Sequence, residues 1–245
     1  MEYFDINCSF GEVPEVKLYI HEPEEILKYM KKFNITRTAL FNQYSFWGNV
    51  IQENNRLLEI CKIHPEFVPV LNLLPPVFES ESYTKKQLEN LVLHNEQLLF
   101  RISPKKQKFY FTQWQMDWQL DFLCENSVPL LVSLQEVDVQ QIAQIKEQYA
   151  NLKIVLTNTT QWMNRMYIQL CKHFDNVYID TCNMIEYYGI ETFVEEIGSK
   201  KILFGTNMPM KEPYDIIMLL RYAKISDGQK RDITMDNFTK LLSRK

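Results

Sequence analysis

The sequence predicts an α/β chain folded as a single (β/α)8 barrel, and three observations carry that prediction. Short aliphatic and β-branched runs alternate with amphipathic stretches along the whole chain, the signature of repeated βα units around a parallel sheet. Eight such runs are present. The length, 245 residues, is close to what one closed barrel of this kind needs. No linker, repeat or low-complexity tract divides the chain, so residues 1–245 are read as one domain.

Strands are expected at residues 3–8, 37–42, 67–73, 98–102, 128–134, 153–158, 177–181 and 201–206, each rich in Val, Ile, Leu or Phe. All are short enough to be strands rather than buried helices. VPLLV, ahead of Ser133, is apolar throughout, as a strand covered on both faces must be. Helices are expected between them, at residues 23–32, 50–64, 85–95, 115–126, 137–150, 161–174, 184–197 and 213–223. In KKQLENLVLH, Leu88, Leu91 and Leu93 recur at a spacing expected to lay one stripe against the sheet. Trp114, Trp118 and Trp162 fall on helical patterns and are read as packing residues. DITMDNFTKLL sets Asp236 and Asn237 ahead of an apolar run, where a last helix is expected.

Composition excludes several functions. Lys and Arg number 27 and Asp and Glu 31, a formal net charge of -4. That balance argues against a nucleic-acid surface, which needs clustered cations. No run approaches the roughly 20 apolar residues of a membrane helix. The opening MEYFDINCSF lacks the basic and apolar regions of a secretory leader, and five cysteines without a C-x-x-C spacing suit reduced thiols. The cytoplasm is the expected compartment. Six glycines assemble neither G-x-G-x-x-G nor a Walker loop, so nucleotide chemistry is not expected.

Five polar residues stand at or beside strand ends: Asn7 and Ser9 in DINCSFG, Ser133 in VPLLVSLQ, Asn158 in LKIVLTN and Asn207 in ILFGTNMP. In their order and context these segments resemble the amidohydrolase-related family, also called amidohydrolase 2. Its metal-dependent hydrolase-like TIM barrels carry D-x-H-x-H-x-G on the first strand, a His at the end of two later strands and an Asp in a G-[ST]-D-x-P turn. The resemblance implies that Asn7, Ser9, Ser133, Asn158 and Asn207 occupy the family's metal-ligand positions. Amides and hydroxyls are poor ligands for zinc, and an Asn at 207 cannot exchange a proton at any useful pH. Neither zinc nor another divalent metal is therefore expected as a cofactor.

Asn42, Asn72, Arg101 and Asp180 lie near other strand ends, and Trp47 shares the loop NQYSFWGN with Tyr44 and Phe46. These are candidates for ligand contact: amides for neutral polar groups, Arg101 for a carboxylate, and Trp47 for a pocket wall. None of His21, His64, His94 and His173 falls at a strand end, so Ser133 lacks a base to activate it. Cys8 and Cys182 are read as packed thiols. No catalytic residue is assigned. Three functions stay open: a catalytically degenerate barrel, or pseudoenzyme, holding a small polar molecule or a partner; an active hydrolase or decarboxylase with a metal-free site or one rearranged around Asp5 and Asp180; and a scaffold acting through its outer helices, for instance as a homo-oligomer.

Overall fold

Strands and helices alternate around a ring in the computed structural model, which describes residues 1–14, 16–159 and 164–243. The strands are β1 (Tyr3–Phe10), β2 (Ile35–Asn42), β3 (Phe67–Asn72), β4 (Leu99–Ile102), β5 (Leu130–Ser133), β6 (Ile154–Thr157), β7 (Val177–Asp180) and β8 (Ile202–Leu203). The helices are α1 (Pro23–Phe33), α2 (Val50–Ile63), α3 (Lys85–His94), α4 (Pro104–Gln107), α5 (Gln113–Glu125), α6 (Val139–Gln148), α7 (Asn164–His173), α8 (Gly189–Ile197), α9 (Tyr214–Tyr222), α10 (Asp227–Arg231) and α11 (Asn237–Leu242). The eight strands pair in sequence order, every neighbour parallel. Between β8 and β1 the ring is joined by Ile6 N–H donating to Phe204 O at 2.9 Å and Ser9 N–H to Met208 O at 2.8 Å. The expected (β/α)8 class is borne out.

Local sequence explains several boundaries. Pro23 opens α1, where its missing N–H has no helical partner to lose, and Thr84 and Gln87 cap α3 reciprocally. Two expected elements end differently. The helix expected from residue 184 begins at Gly189, because Tyr188 takes a left-handed conformation (φ 54°) that a helix cannot continue through. The strand expected at 201–206 has a ladder only over β8, since Phe204 N–H donates instead to Ile233 O. Helices α4 and α10 were not expected from the sequence. Trp162 and the start of the helix expected at 161–174 lie outside the described residues.

Strand alternation sorts side chains into two sets. Val68, Val70, Leu99, Leu131, Val155 and Leu203 fill the barrel interior, while their neighbours in sequence pack against the outer helices. The interior set also contains Phe238, Leu241 and Leu242 of α11, which lie across the N-terminal end of the strands as a stopper. Lys153, leading into β6, donates to the carbonyls of Leu241 and Ser243 at 3.2 Å. Asn237 donates to Ser199 O and Ile202 O and so holds the other end of α11 in place. With that end closed, the C-terminal mouth of the barrel, where folds of this kind carry their ligand sites, is the end left open among the described residues. No helix among the described residues is long and apolar enough to cross a membrane.

Candidate functional site at the barrel mouth

Two residues beyond the apolar interior, the alternation delivers polar side chains to the mouth. Asn72 follows Val70, Arg101 follows Leu99, Ser133 follows Leu131, Thr157 follows Val155 and Asp180 follows Tyr178, all of them buried. A polar ring above an apolar plug is where barrels of this kind carry ligand sites.

Four of the side chains singled out in the sequence form one hydrogen-bonded chain. Asn158 Nδ2 donates to Ser133 Oγ at 3.3 Å, Asn7 Nδ2 lies 3.5 Å from Asn158 Oδ1, and Asn7 Nδ2 donates to Asp180 Oδ2 at 2.8 Å. Asn158 lies one place past the inward-facing Thr157 and would point outward in a regular strand. Its left-handed backbone (φ 54°) turns it toward the mouth, a conformation that asparagine tolerates better than most residues. Cys182 Sγ donates to the same Asn158 Oδ1 at 3.7 Å.

Asp180 Oδ1 is buried without a hydrogen-bond partner among the described residues. Burial pushes this carboxyl up to about 6, although the bond from Asn7, the adjacent Cys182 and the charge of Arg101 pull it down. Gly205 makes room for it: a Cβ there would lie 2.9 Å from Asp180 Cβ. Asp5 is also buried, and desolvation pushes it up to about 7. It accepts from Asn7 N–H at 3.0 Å, Thr206 N–H at 3.0 Å and Thr206 Oγ1 at 2.5 Å. Those bonds stitch β1 to the end of β8, which makes Asp5 a structural group under the site.

The other residues noted in the sequence are placed elsewhere. Ser9 Oγ accepts from Gln43 Nε2 at 2.9 Å, outside the chain that links Ser133 to Asp180. Asn42 faces away from the mouth, one position past the inward Phe41, and bonds Glu53 and Tyr44 N–H. Asn207 is half-buried in a left-handed turn (φ 57°), and Trp47 is 56% exposed with the Lys106 ammonium 5.9 Å from its ring.

Asn72 is fixed by a residue the sequence reading overlooked. Asn54 on α2 donates to Asn72 O at 2.8 Å and accepts from Asn72 N–H at 2.9 Å. Asn72 Nδ2 donates to Ser45 O and Ser45 Oγ, both at 3.2 Å, and its Oδ1 is buried without a partner among the described residues. Asn54→Ala leaves a buried N–H and C=O unpaired, so a loss of about 2 kcal/mol in unfolding free energy is expected. Urea denaturation of the purified variant measures it.

Arg101 is Asn72's neighbour in register across β3 and β4. It is only 9% exposed, and its guanidinium lies 5.0 Å from the Phe41 ring centroid. Its Nε is buried with no hydrogen-bond partner among the described residues. Burial lowers the guanidinium from its ordinary value, and Glu136 and Asp180 offset this through space. A buried guanidinium with an unused donor is poised for a carboxylate. Beside Ser45 a cavity of about 330 Å³ opens among the loops that follow β2, β3 and β4.

No protein-family profile and no curated protein matches the sequence. Solved structures do match in fold. A 2,6-dihydroxybenzoate decarboxylase complexed with 2,6-dihydroxybenzoate aligns over 98% of this chain and 99% of its own, with a TM-score of 0.80 at 14% identity. A putative amidohydrolase from Staphylococcus aureus aligns over 99% of both chains, at 0.77 and 15%. A dihydroxybenzoic acid decarboxylase from a Polaromonas species, with bound manganese and the inhibitor 2-nitroresorcinol, covers 98% of this chain and 96% of its own, at 0.78 and 15%. The resemblance to amidohydrolase-related barrels is thereby borne out; at these identities it is a statement about fold.

The manganese bound in the Polaromonas protein overturns the expectation that neither zinc nor another divalent metal is a cofactor for this chain. That expectation judged the site by the poor affinity of neutral amides and hydroxyls for zinc. Among the described residues no three His, Cys, Asp or Glu side chains converge, but manganese and magnesium favour oxygen ligands, and magnesium is often held by one or two carboxylates with water completing its shell. Asp180 Oδ1, buried and without a hydrogen-bond partner among the described residues, fits an ion of that kind as its one carboxylate ligand. The same lone pair takes either a proton or a cation, so the two compete.

Proposed function

We propose that the barrel mouth binds a small carboxylic acid and that the chain is an enzyme of the decarboxylase or hydrolase kind. The observation that carries this reading is Arg101, a buried guanidinium with an unused Nε donor at the end of a barrel strand. Arg101 takes the carboxylate, stacked from below by Phe41. Asn72 Oδ1, the acceptor next to it that is unpaired among the described residues, receives a hydroxyl or N–H of the ligand. Asp180 Oδ1 is the group that holds a proton or a divalent cation beside the bound acid. When bound, such a cation supplies Lewis-acid polarisation of a ligand oxygen. The decarboxylase complexed with 2,6-dihydroxybenzoate supports the ligand class.

The test uses 2,6-dihydroxybenzoate and resorcinol, the same ring without its carboxylate, in manganese-containing buffer. Calorimetry is expected to show the acid binding at least about tenfold more tightly, since a charge-assisted bond is lost with the carboxylate. A carbon dioxide assay is expected to report release from the acid. Equal affinity for the two would sink the reading. A second reading, binding without turnover, is favoured by the neutral amides Asn7 and Asn158 in the polar chain; tight binding of the acid with no product from it or from ester and amide panels selects that one.

A further inference from the structure

A second concave surface lies outside the barrel, bounded by residues 184–191 and helix α9, with a volume of about 810 Å³. Four tyrosines line it, and they are unusually open for such large side chains: Tyr187 is 88% exposed, Tyr222 71%, Tyr214 55% and Tyr188 43%. The Tyr187 and Tyr188 rings meet edge to face, with centroids 4.3 Å apart. Left-handed Tyr188 is what turns this pair outward, since it ends the 184–188 segment before α8 can begin.

The charges of the groove are of one sign. Glu186, Glu191 and Asp215 line it, and among the described residues no Lys, Arg or His does. Glu191 is partly committed, accepting from Lys224 N–H at 2.8 Å. Glu186 Oε1 accepts from Asn164 at 2.8 Å, while its Oε2 is shielded from solvent and has no partner among the described residues. The rim already shows which group suits the rings, because the Lys224 ammonium sits 5.4 Å from the centroid of Tyr188. Cations favour the faces of aromatic rings, and tyrosine gives large contact area at little entropic cost.

We infer that this groove docks a basic segment of a partner protein, with lysine or arginine side chains laid on the faces of Tyr187, Tyr214 and Tyr222 and neutralised by Glu186 and Asp215. Charge complementarity decides the occupant: a second copy of a chain with net charge -4 brings no excess of cations to an acidic groove.

Met184 and Met218 also line the groove, and their carbon-13 methyl signals report on it directly. The full chain is titrated with a short peptide alternating leucine and lysine, and with a control carrying glutamate in place of lysine. Saturable shifts of the Met184 and Met218 signals are expected with the lysine peptide alone, weakening as salt is raised. Affinity is expected to fall at least about tenfold in the double variant Glu186→Gln with Asp215→Asn and in Tyr222→Ala, with thermal unfolding unchanged. Equal binding of the glutamate peptide, or no shift up to millimolar peptide, overturns the inference. So does a dimer in sedimentation whose formation shifts the two signals without any peptide, which makes the groove a contact between copies.

Discussion

Arg101→Met is expected to abolish carboxylate binding at the mouth, with affinity for 2,6-dihydroxybenzoate down by about 100-fold, while the fold is kept or strengthened. The two effects have one cause. A guanidinium held 9% exposed with an unpaired Nε is an expense to the folded state until an anion arrives. Methionine keeps much of the side-chain length, retains contact with Phe41 and removes the buried charge, so the melting temperature of the unliganded variant should equal or exceed that of the parent. Arg101→Lys separates charge from geometry. A lysine ammonium preserves the sign but loses the planar fork, and about a tenfold loss is expected. Calorimetry on the three proteins gives the series; a methionine variant that binds the acid like the parent removes Arg101 from the site.

Asp180→Asn should lose turnover by at least about 1,000-fold, because the amide can neither exchange a proton nor neutralise a cation. Its effect on stability has the opposite sign and depends on pH. In chelator-treated protein the folded-state carboxyl sits at about 6, above its ordinary value of 3.8, chiefly because burial disfavours its charged form. A group raised in the folded state binds more protons there than in the unfolded chain, so stability falls as pH rises from about 4 to about 6 and stays lowered above that. The asparagine variant escapes this penalty. It should be the more stable protein at pH 8, by on the order of 2 kcal/mol, and the difference should vanish below pH 4. Denaturation midpoints of both proteins across that range decide the matter. A constant difference at all pH values would mean that the charge of Asp180 is compensated in a way its surroundings do not reveal.

The barrel itself was legible because aliphatic runs of strand length, repeated between helical patterns, leave little else for the chain to do. The site was legible in part. Reading the polar residues at strand ends finds Ser133, Arg101 and Asp180, since each follows apolar interior residues at or next to the place where its strand stops, whereas Asn7, with β1 running on to Phe10, came from the family's first-strand frame. It does not reveal which of two consecutive polar residues faces inward. Alternation alone sends Thr157 to the mouth and Asn158 away from it, and only the left-handed turn at Asn158 reverses this. Asn42 carries no such turn and points outward to Glu53. Gln43, Asn54 and Thr206 were missed because they come from a loop, a helix and a strand extension, and their partners are far off in sequence. The metal expectation failed for another reason: it asked what zinc would accept, whereas the fold neighbour carries manganese.

The stopper formed by α11 has a consequence for synthesis. Phe238 packs edge to face with Phe4, ring centroids 6.2 Å apart, so one wall of the interior comes from the first strand and its cover from one of the last segments described. While the ribosome is still making the intervening strands, the lower opening of the nascent sheet has nothing to shield it, and Ile6, Val68 and Leu99 remain available to other apolar surfaces. A message truncated before the codon for Phe238 therefore yields an unsealed barrel, a substrate for chaperones and proteases rather than a shorter working protein.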